Sequence, residues 1–175
     1  MENTKRDMTR RNIMRAARVV YEEKGIENAS FSDIAERAKV SRSTVFNYFA
    51  GTQEMLTALC GKEIADLEAA YEAGGHRGKE GIISIFETLV EDTAKFPKLV
   101  TSIIYSALVS GSEDNPLKMI EELLARNLED DEDGIKNMLL MGAYYGLVNH
   151  YHMSNLPFEG EKMKEQMREM IDAVI

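Results

Sequence analysis

Cysteine occurs once and proline three times in 175 residues, and each shortage excludes a class of protein. The lone thiol, Cys60, cannot close an internal disulfide, so a disulfide-framed secreted domain is excluded and a reducing cytoplasm is the expected location. With so little proline, an apolar share of 44% and a charged share of 29%, the chain is neither collagen-like nor disordered. Long hydrophobic runs are also missing. The longest uncharged stretch, Asn137 to Phe158, has an apolar core of 11 residues, Met138 to Val148, where a membrane span needs about 20. The N-terminal MENTKRDMTRRN has no apolar segment behind its charges, so neither a signal peptide nor a membrane partner is expected. No nucleophile elbow, phosphate loop, dinucleotide fingerprint or paired catalytic carboxylates can be found. The expectation is a protein without catalytic residues or cofactor, although Ser, His and Asp gathered from distant positions would escape such a reading.

What is present is charge, unevenly placed. The net charge is −9, yet residues 1–52 hold ten Lys/Arg against seven acids, +3, while the other 123 residues hold 11 against 23, −12. Such a head can meet a polyanion that the body would repel; chance solvation gives the same numbers. The acidic run Glu129 to Asp133 lacks the acid that a calcium loop needs at its twelfth position, where Leu140 stands, and reads as a solvated loop between helices. His150 and His152, two residues apart on a helix, point about 200° from each other and cannot share a metal, so no metal site is expected.

Helical periodicity runs through almost the whole chain. Ile13, Ala16, Ala17, Val20 and Tyr21 form one stripe on a helix that Gly25 stops. Ser30 and Asp33 form a capping box for a short helix whose buried face is Phe31, Ile34, Ala35 and Ala38. Ser41 caps the next helix, with Val45 and Phe49 inward. Thr52 opens, and can cap, a fourth helix to about Ala73, after which the Gly74–Gly78 stretch breaks the chain. Further helices are predicted at about 79–95, 98–110, 116–129, 135–154 and 159–174, with Pro97, Pro116 and Pro157 at or just before helix starts. The fold class is therefore all-α, about nine helices: a three-helix head over residues 1–50 and a helical-bundle body over 51–175.

The most specific segment is FSDIAERAKVSRSTVFNYF, Phe31 to Phe49, a short helix, a tight turn and a second short helix, which is a helix-turn-helix arrangement. The exposed side of its second helix carries Arg42, Ser43, Asn47 and Tyr48. Arg and Asn can read purine edges in the major groove, and hydroxyls reach phosphate oxygens. Over about Thr9 to Leu59 these residues, with Ile34-Ala35, Val40-Ser41, Thr44-Val45-Phe46-Asn47-Tyr48-Phe49 and Glu54-Met55-Leu56, resemble the tetracycline-repressor (TetR) family of bacterial transcription regulators. The resemblance implies a DNA-binding head on a ligand-responsive, dimeric helical body. Three positions depart from the family's usual residues: Lys39 stands for Gly in the turn, Phe46 for Tyr, and Thr52 for Lys. DNA contacts are expected from Ser30, Arg42, Ser43, Thr44, Phe46, Asn47, Tyr48 and Thr52, with Phe46 against a thymine methyl. Lys5, Arg6, Arg10 and Arg11 read either as an arm along the DNA or as a frayed terminus.

The last two helices carry a small-residue strip, Gly142, Ala143 and Gly146, and a stack of Met163, Met167, Met170, Ile171 and Val174. Such a pair needs a covering layer, which is either the chain's own helices or a second subunit. The resemblance favours the homodimer, with Gly142, Gly146, Met163, Met167 and Met170 at its interface. Phe86, Ile103, Tyr105, Leu124, Met141 and Tyr145 are the expected walls of an apolar pocket for a small-molecule effector, neutral or cationic given the acidic body; a closed core is the competing reading. The function expected is a repressor released by that effector from a palindromic double-stranded DNA operator, with the fourth helix as transmitter. The alternative is an effector-independent DNA- or protein-binding structural protein using the same head.

Overall fold

A computed structural model describes residues 4–110, 115 and 117–175. Among these the chain forms nine helices and no strand: α1 (Lys5–Lys24), α2 (Phe31–Ala38), α3 (Arg42–Tyr48), α4 (Thr52–Gly74), α5 (Gly78–Lys95), α6 (Pro97–Ser110), α7 (Leu117–Ala125), α8 (Ile135–Met153) and α9 (Gly160–Val174). Pro116 and residues 1–3 of the N-terminal stretch lie outside the described residues. The chain packs as two compact units, Met1–Lys62 and Glu63–Ile175. The division falls inside α4, where the sequence reading draws it just ahead of that helix.

In the first unit, local chemistry sets each helix end. Thr4 and Asp7 make a capping box at the start of α1, and this pulls Lys5, Arg6, Arg10 and Arg11 into the helix. They form neither an extended arm nor a frayed end, because the cap supplies the partners that the first turn would otherwise lack. Gly25, at φ 79°, closes α1 by donating its N–H to the Tyr21 carbonyl at 2.9 Å. The Ser30 hydroxyl accepts from the Asp33 N–H at 3.2 Å, and the Asp33 carboxylate accepts from the Ser30 N–H at 2.9 Å. Ile13, Ala17, Val20, Ile34, Val45 and Phe49 are buried together with Met55 and Leu59; each large side chain removed from water contributes about 1.5–3 kcal/mol. Asn12 Nδ2 donates to the Ala38 carbonyl at 2.7 Å, tying α1 to the end of α2.

That end of α2 is a Schellman closure: Lys39 N–H meets the Glu36 carbonyl at 3.1 Å and Val40 N–H the Ala35 carbonyl at 3.0 Å. It requires a left-handed residue, and Lys39 takes that conformation, φ 55° and ψ 44°. Thr52, expected to cap α4, is instead its first helical residue, and the Glu54 carboxylate accepts from the Ala50 N–H at 2.7 Å.

In the second unit, α5 packs on α9 and α6, and α8 packs on α9, α6 and α7. Ile82, Ile85, Phe86, Val90, Leu123, Leu124, Leu140, Leu147, Met163 and Ile171 fill the core. Its buried polar groups are paired in part: Thr93 Oγ1 with Tyr144 Oη at 2.8 Å, and Tyr71 Oη donating to Asn127 Oδ1 at 2.9 Å. Gly81 makes room for the second pair, since a Cβ there would stand 2.5 Å from Asn127 Oδ1. Asn127 also shortens α7 relative to the 116–129 expected. Its amide donates to the Leu123 carbonyl at 2.8 Å and its N–H to the Leu124 carbonyl at 2.9 Å, which tightens the last turn. Asp131 accepts from the N–H groups of Lys136 and Asn137 at 2.8 and 3.1 Å, so the acidic run joins α7 to α8 and caps the latter. Among the described residues no helix is long and apolar enough to cross a membrane.

Two outcomes follow for the head. A left-handed lysine costs ~1–2 kcal/mol, and glycine's freedom in the unfolded chain takes back about 0.4–1. Lys39→Gly should therefore stabilise the head by about 0.5–1 kcal/mol, read as a higher urea midpoint at unchanged slope. The second outcome concerns acid. The Lys24 ammonium, then the Ser30 hydroxyl and N–H, hold the Asp33 carboxyl down at about 2. An unfolded Asp titrates near ~3.9, so the unfolded chain takes up this proton first as pH falls. The contribution is complete above about pH 4 and is lost toward about pH 2. Asp33→Asn should flatten the dependence of the urea midpoint on pH across that window; an unaltered profile would refute it.

Candidate functional site

The seven residues of α3 divide cleanly by exposure. Val45 is fully buried and Phe49, just past the helix, is 1% exposed, so one face is anchored in the head core. Arg42, Ser43, Phe46 and Asn47 are exposed on the other side, and Thr44 and Tyr48 are half-buried at its flanks. The Ser41 hydroxyl accepts from the Thr44 N–H at 3.0 Å and lies 2.8 Å from both the Ser43 and Thr44 hydroxyl oxygens. This cap holds three hydroxyls together at the N-terminal end of the helix, where backbone N–H groups and the helix dipole favour an anion. Phe46 leans on the Phe31 ring, centroids 4.9 Å apart, and the Arg42 guanidinium stacks 5.2 Å over Phe46. Arg10 sits similarly 5.0 Å from the Phe49 ring. Ser30 is exposed, but its hydroxyl is engaged with Asp33, and Thr52 is half-buried. The DNA-contact residues expected from sequence thus meet on α3, with Ser30 and Thr52 at neighbouring helix starts.

The residues expected to line an effector pocket do not come together as one wall. Phe86, Leu124 and Met141 are buried in closed core, and Ile103 is half-buried on α6. Tyr105 and Tyr145 do meet, in an open groove of about 330 Å³ between α6 and α8, lined also by Thr101, Ile104, Leu108, Gly146, Val148 and Asn149. Tyr105 Oη donates to Asn149 Oδ1 at 2.6 Å across it. Burial, and then the Glu121 carboxylate, push the Tyr145 phenol well above its ordinary range, so it stays protonated. Of the α6 wall, Tyr105 is expected from sequence while Thr101, Ile104 and Leu108 are not, although the signal is there: the four recur at offsets 0, 3, 4 and 7.

The interface residues also separate. Met163 and Met167 are buried within the protomer and Met170 is half-buried, so the methionine stack expected to meet a second subunit is covered by the chain's own helices. The outer face of α9 is charged, with Lys162, Glu165, Arg168, Glu169 and Asp172 exposed. The outer face of α8 is not: Ile135, Met138, Leu139 and Met153 are 48%, 66%, 50% and 76% exposed, and Gly142 and Gly146 lie between them. A Cβ added at either glycine would meet nothing within 4 Å. Among the described residues no three His, Cys, Asp or Glu gather as a metal site.

Residues 13–59 match the family described as bacterial regulatory proteins, tetR family. The chain is 25% identical over 180 aligned positions to the HTH-type transcriptional regulator SrpR of Pseudomonas putida, spanning 95% of this chain and 82% of that one. Among solved structures, a transcriptional regulator of Aquifex aeolicus VF5 superposes with a TM-score of 0.70 at 19% identity, covering 95% and 99% of the two chains. The regulator FadR of Bacillus subtilis, in complex with stearoyl-CoA, gives 0.68 at 18% identity, covering 94% and 98%. Both share the fold.

Proposed function

Through its head the chain belongs to the TetR family of bacterial regulatory proteins, and on that premise we propose a cytoplasmic, non-catalytic, dimeric repressor that a small molecule releases from a near-palindromic operator. The observation that carries this reading is the outer side of α3. Arg42, Ser43, Phe46 and Asn47 have no core to fill, and their chemistry suits base edges in the major groove. Thr44 and Tyr48, at the flanks, suit phosphates. The +3 head gives the attraction, since a −12 body cannot.

Dimerisation is supported by the α8 face. A glycine inside a helix costs about 0.8–1 kcal/mol relative to alanine, and nothing within the described protomer requires Gly142 or Gly146 to lack a side chain. Close approach of a second α8 supplies the reason. Assignment of the interface therefore rests on Gly142, Gly146 and the exposed apolar residues of α8, with two heads spaced about 34–36 Å to reach successive major grooves. A ligand releases DNA only by binding the non-operator spacing more tightly; a tenfold preference supplies ~1.4 kcal/mol. α4 runs continuously from one unit into the other and is the covalent route for that change. The acyl-CoA in the Bacillus subtilis relative supports a ligand-responsive body here. The closed packing of Phe86, Leu124 and Met141 favours a second reading, an effector-independent DNA-binding protein.

Sequences selected from a random DNA pool should yield a twofold consensus. Arg42→Ala should cost about 1–3 kcal/mol and relax one base preference, while Tyr48→Phe should weaken all sequences alike; affinity should fall steeply with salt. An unchanged consensus and affinity for Arg42→Ala at fixed salt would remove its base-reading role. For assembly, Gly142→Phe should leave the protomer folded, reduce its mass in light scattering from dimer to monomer, and weaken operator binding by on the order of 10²-fold or more. A monomeric wild type at micromolar concentration would sink the dimer.

A further inference from the structure

Among the described residues of this unit, the groove between α6 and α8 holds one of the two buried side-chain polar atoms that lack a hydrogen-bond partner, the other being Asn137 Oδ1 on α8. Thr101 lines it, is 4% exposed, and its Oγ1 is buried without a hydrogen-bond partner. Elsewhere in this unit buried hydroxyls are paired: Thr93 Oγ1 takes both the Leu89 carbonyl and Tyr144 Oη. A threonine in a helix commonly satisfies its hydroxyl on the carbonyl four residues back, as Thr88 and Ser102 do here. Thr101 does neither. A buried orphan hydroxyl is a disfavoured group that calls for an explanation. One on the wall of an open apolar groove gives up no hydrogen bond when rotation about χ1 turns it toward a molecule in the groove, and such a molecule would explain it.

The other lining residues restrict that molecule. They are Ile104, Tyr105, Leu108, Tyr145, Gly146, Val148 and Asn149, with no lysine, arginine, aspartate or glutamate. A charged ligand group seated there would lose its water without gaining an opposite charge. The Tyr145 phenol, held protonated by burial and by Glu121 on α7, offers a donor and no negative charge. Tyr105 and Asn149 are already bonded to each other, which leaves the Tyr145 phenol and the Thr101 hydroxyl for a ligand, and of these the buried Thr101 hydroxyl is the one without a partner. At about 330 Å³ the groove lies at the small end of the range for ligand sites.

We propose that this groove is the effector seat and that it takes a small, uncharged, mainly apolar molecule bearing one hydroxyl or carbonyl group, anchored by Thr101. The proposal rests on the ligand-responsive reading above and narrows it: a phosphorylated acyl carrier such as the relative's stearoyl-CoA does not fit a groove lined without cations.

The test uses a matched series on the full chain: naphthalene, 2-naphthol, 2-naphthoate and 2-naphthylmethylammonium. Leu108→Trp, at an exposed position in the groove wall, supplies the only tryptophan in the chain and a fluorescence reporter. The expected result is quenching by 2-naphthol, which binds at least tenfold more tightly than naphthalene and than either charged member. Thr101→Val exchanges the orphan hydroxyl for a methyl. It should keep or raise the melting temperature while reducing the preference for 2-naphthol over naphthalene to less than twofold.

An unchanged preference in Thr101→Val, tightest binding by a charged member, or no binding by any member would overturn the proposal, and none of these touches the DNA-binding reading. A dimer dispersed by Leu108→Trp would also overturn it, because the groove would then be seated against a second copy. If 2-naphthol binds as expected but leaves affinity for the selected operator unchanged, the seat is upheld and the ligand-release reading is the one that fails.

Discussion

A seven-residue helix cannot persist alone in water, because too few hydrogen bonds offset the cost of its first turn. α3 exists because Val45 and Phe49, four residues apart, are buried on one side of it and Ser41 caps its start. Those anchors also fix the helix's rotation about its own axis. Once they point inward, Arg42, Ser43, Phe46 and Asn47 have to point outward. The remainder of the head serves that constraint. The capping box at Ser30, the closure at Lys39 and the Asn12 bridge to Ala38 set where α2 ends and the turn begins. The turn in turn delivers Ser41. The outward chemistry of α3 and its stability are thus set by the same four-residue spacing.

The body follows a different economy. Its helices are held by apolar layers, and its few buried polar groups act as local stops. Asn127 terminates α7, receives the Tyr71 hydroxyl and demands a glycine at 81. Asp131 begins α8. Each replaces a repeating element by a boundary, so the end of α7 and the start of α8 are set by side-chain hydrogen bonds, whereas α6 starts at Pro97.

The helices of the head and their inward faces were legible in the sequence because each boundary is chemically local: Ser30 with Asp33, Ser41 with Thr44, Gly25 after a single stripe. The exposed side of α3 was legible for the same reason. Where the reading departed from the structure, the missing information lay far away along the chain. The Met163–Met167 stack shows periodicity, but periodicity names an apolar face without naming its cover; here the cover is the chain's own helices, where a second subunit was expected. Three of the six expected pocket walls depart similarly. Phe86, Leu124 and Met141 are large and apolar, which fits a cavity wall and a filled core equally well, and only the packing of five helices decides. Thr52 looked like a cap because capping residues also occur in first turns. The remainder of the α6 wall, Thr101, Ile104 and Leu108, by contrast, had a readable offset pattern beside Tyr105.

The contact between Arg42 and Phe46 separates two properties that protein–DNA recognition usually mixes. A guanidinium has a face and an edge. The Arg42 guanidinium carbon lies over the Phe46 ring, and a cation–π contact of this kind uses up none of the N–H groups that could pair with a guanine along the edge. Under the base-reading role proposed for Arg42, position 46 would govern how firmly the arginine is held in register, and position 42 what is read. On that proposal the two would drift independently in a lineage of such heads: substitutions at 46 would retune occupancy at every site alike, and substitutions at 42 would rewrite which sites are bound.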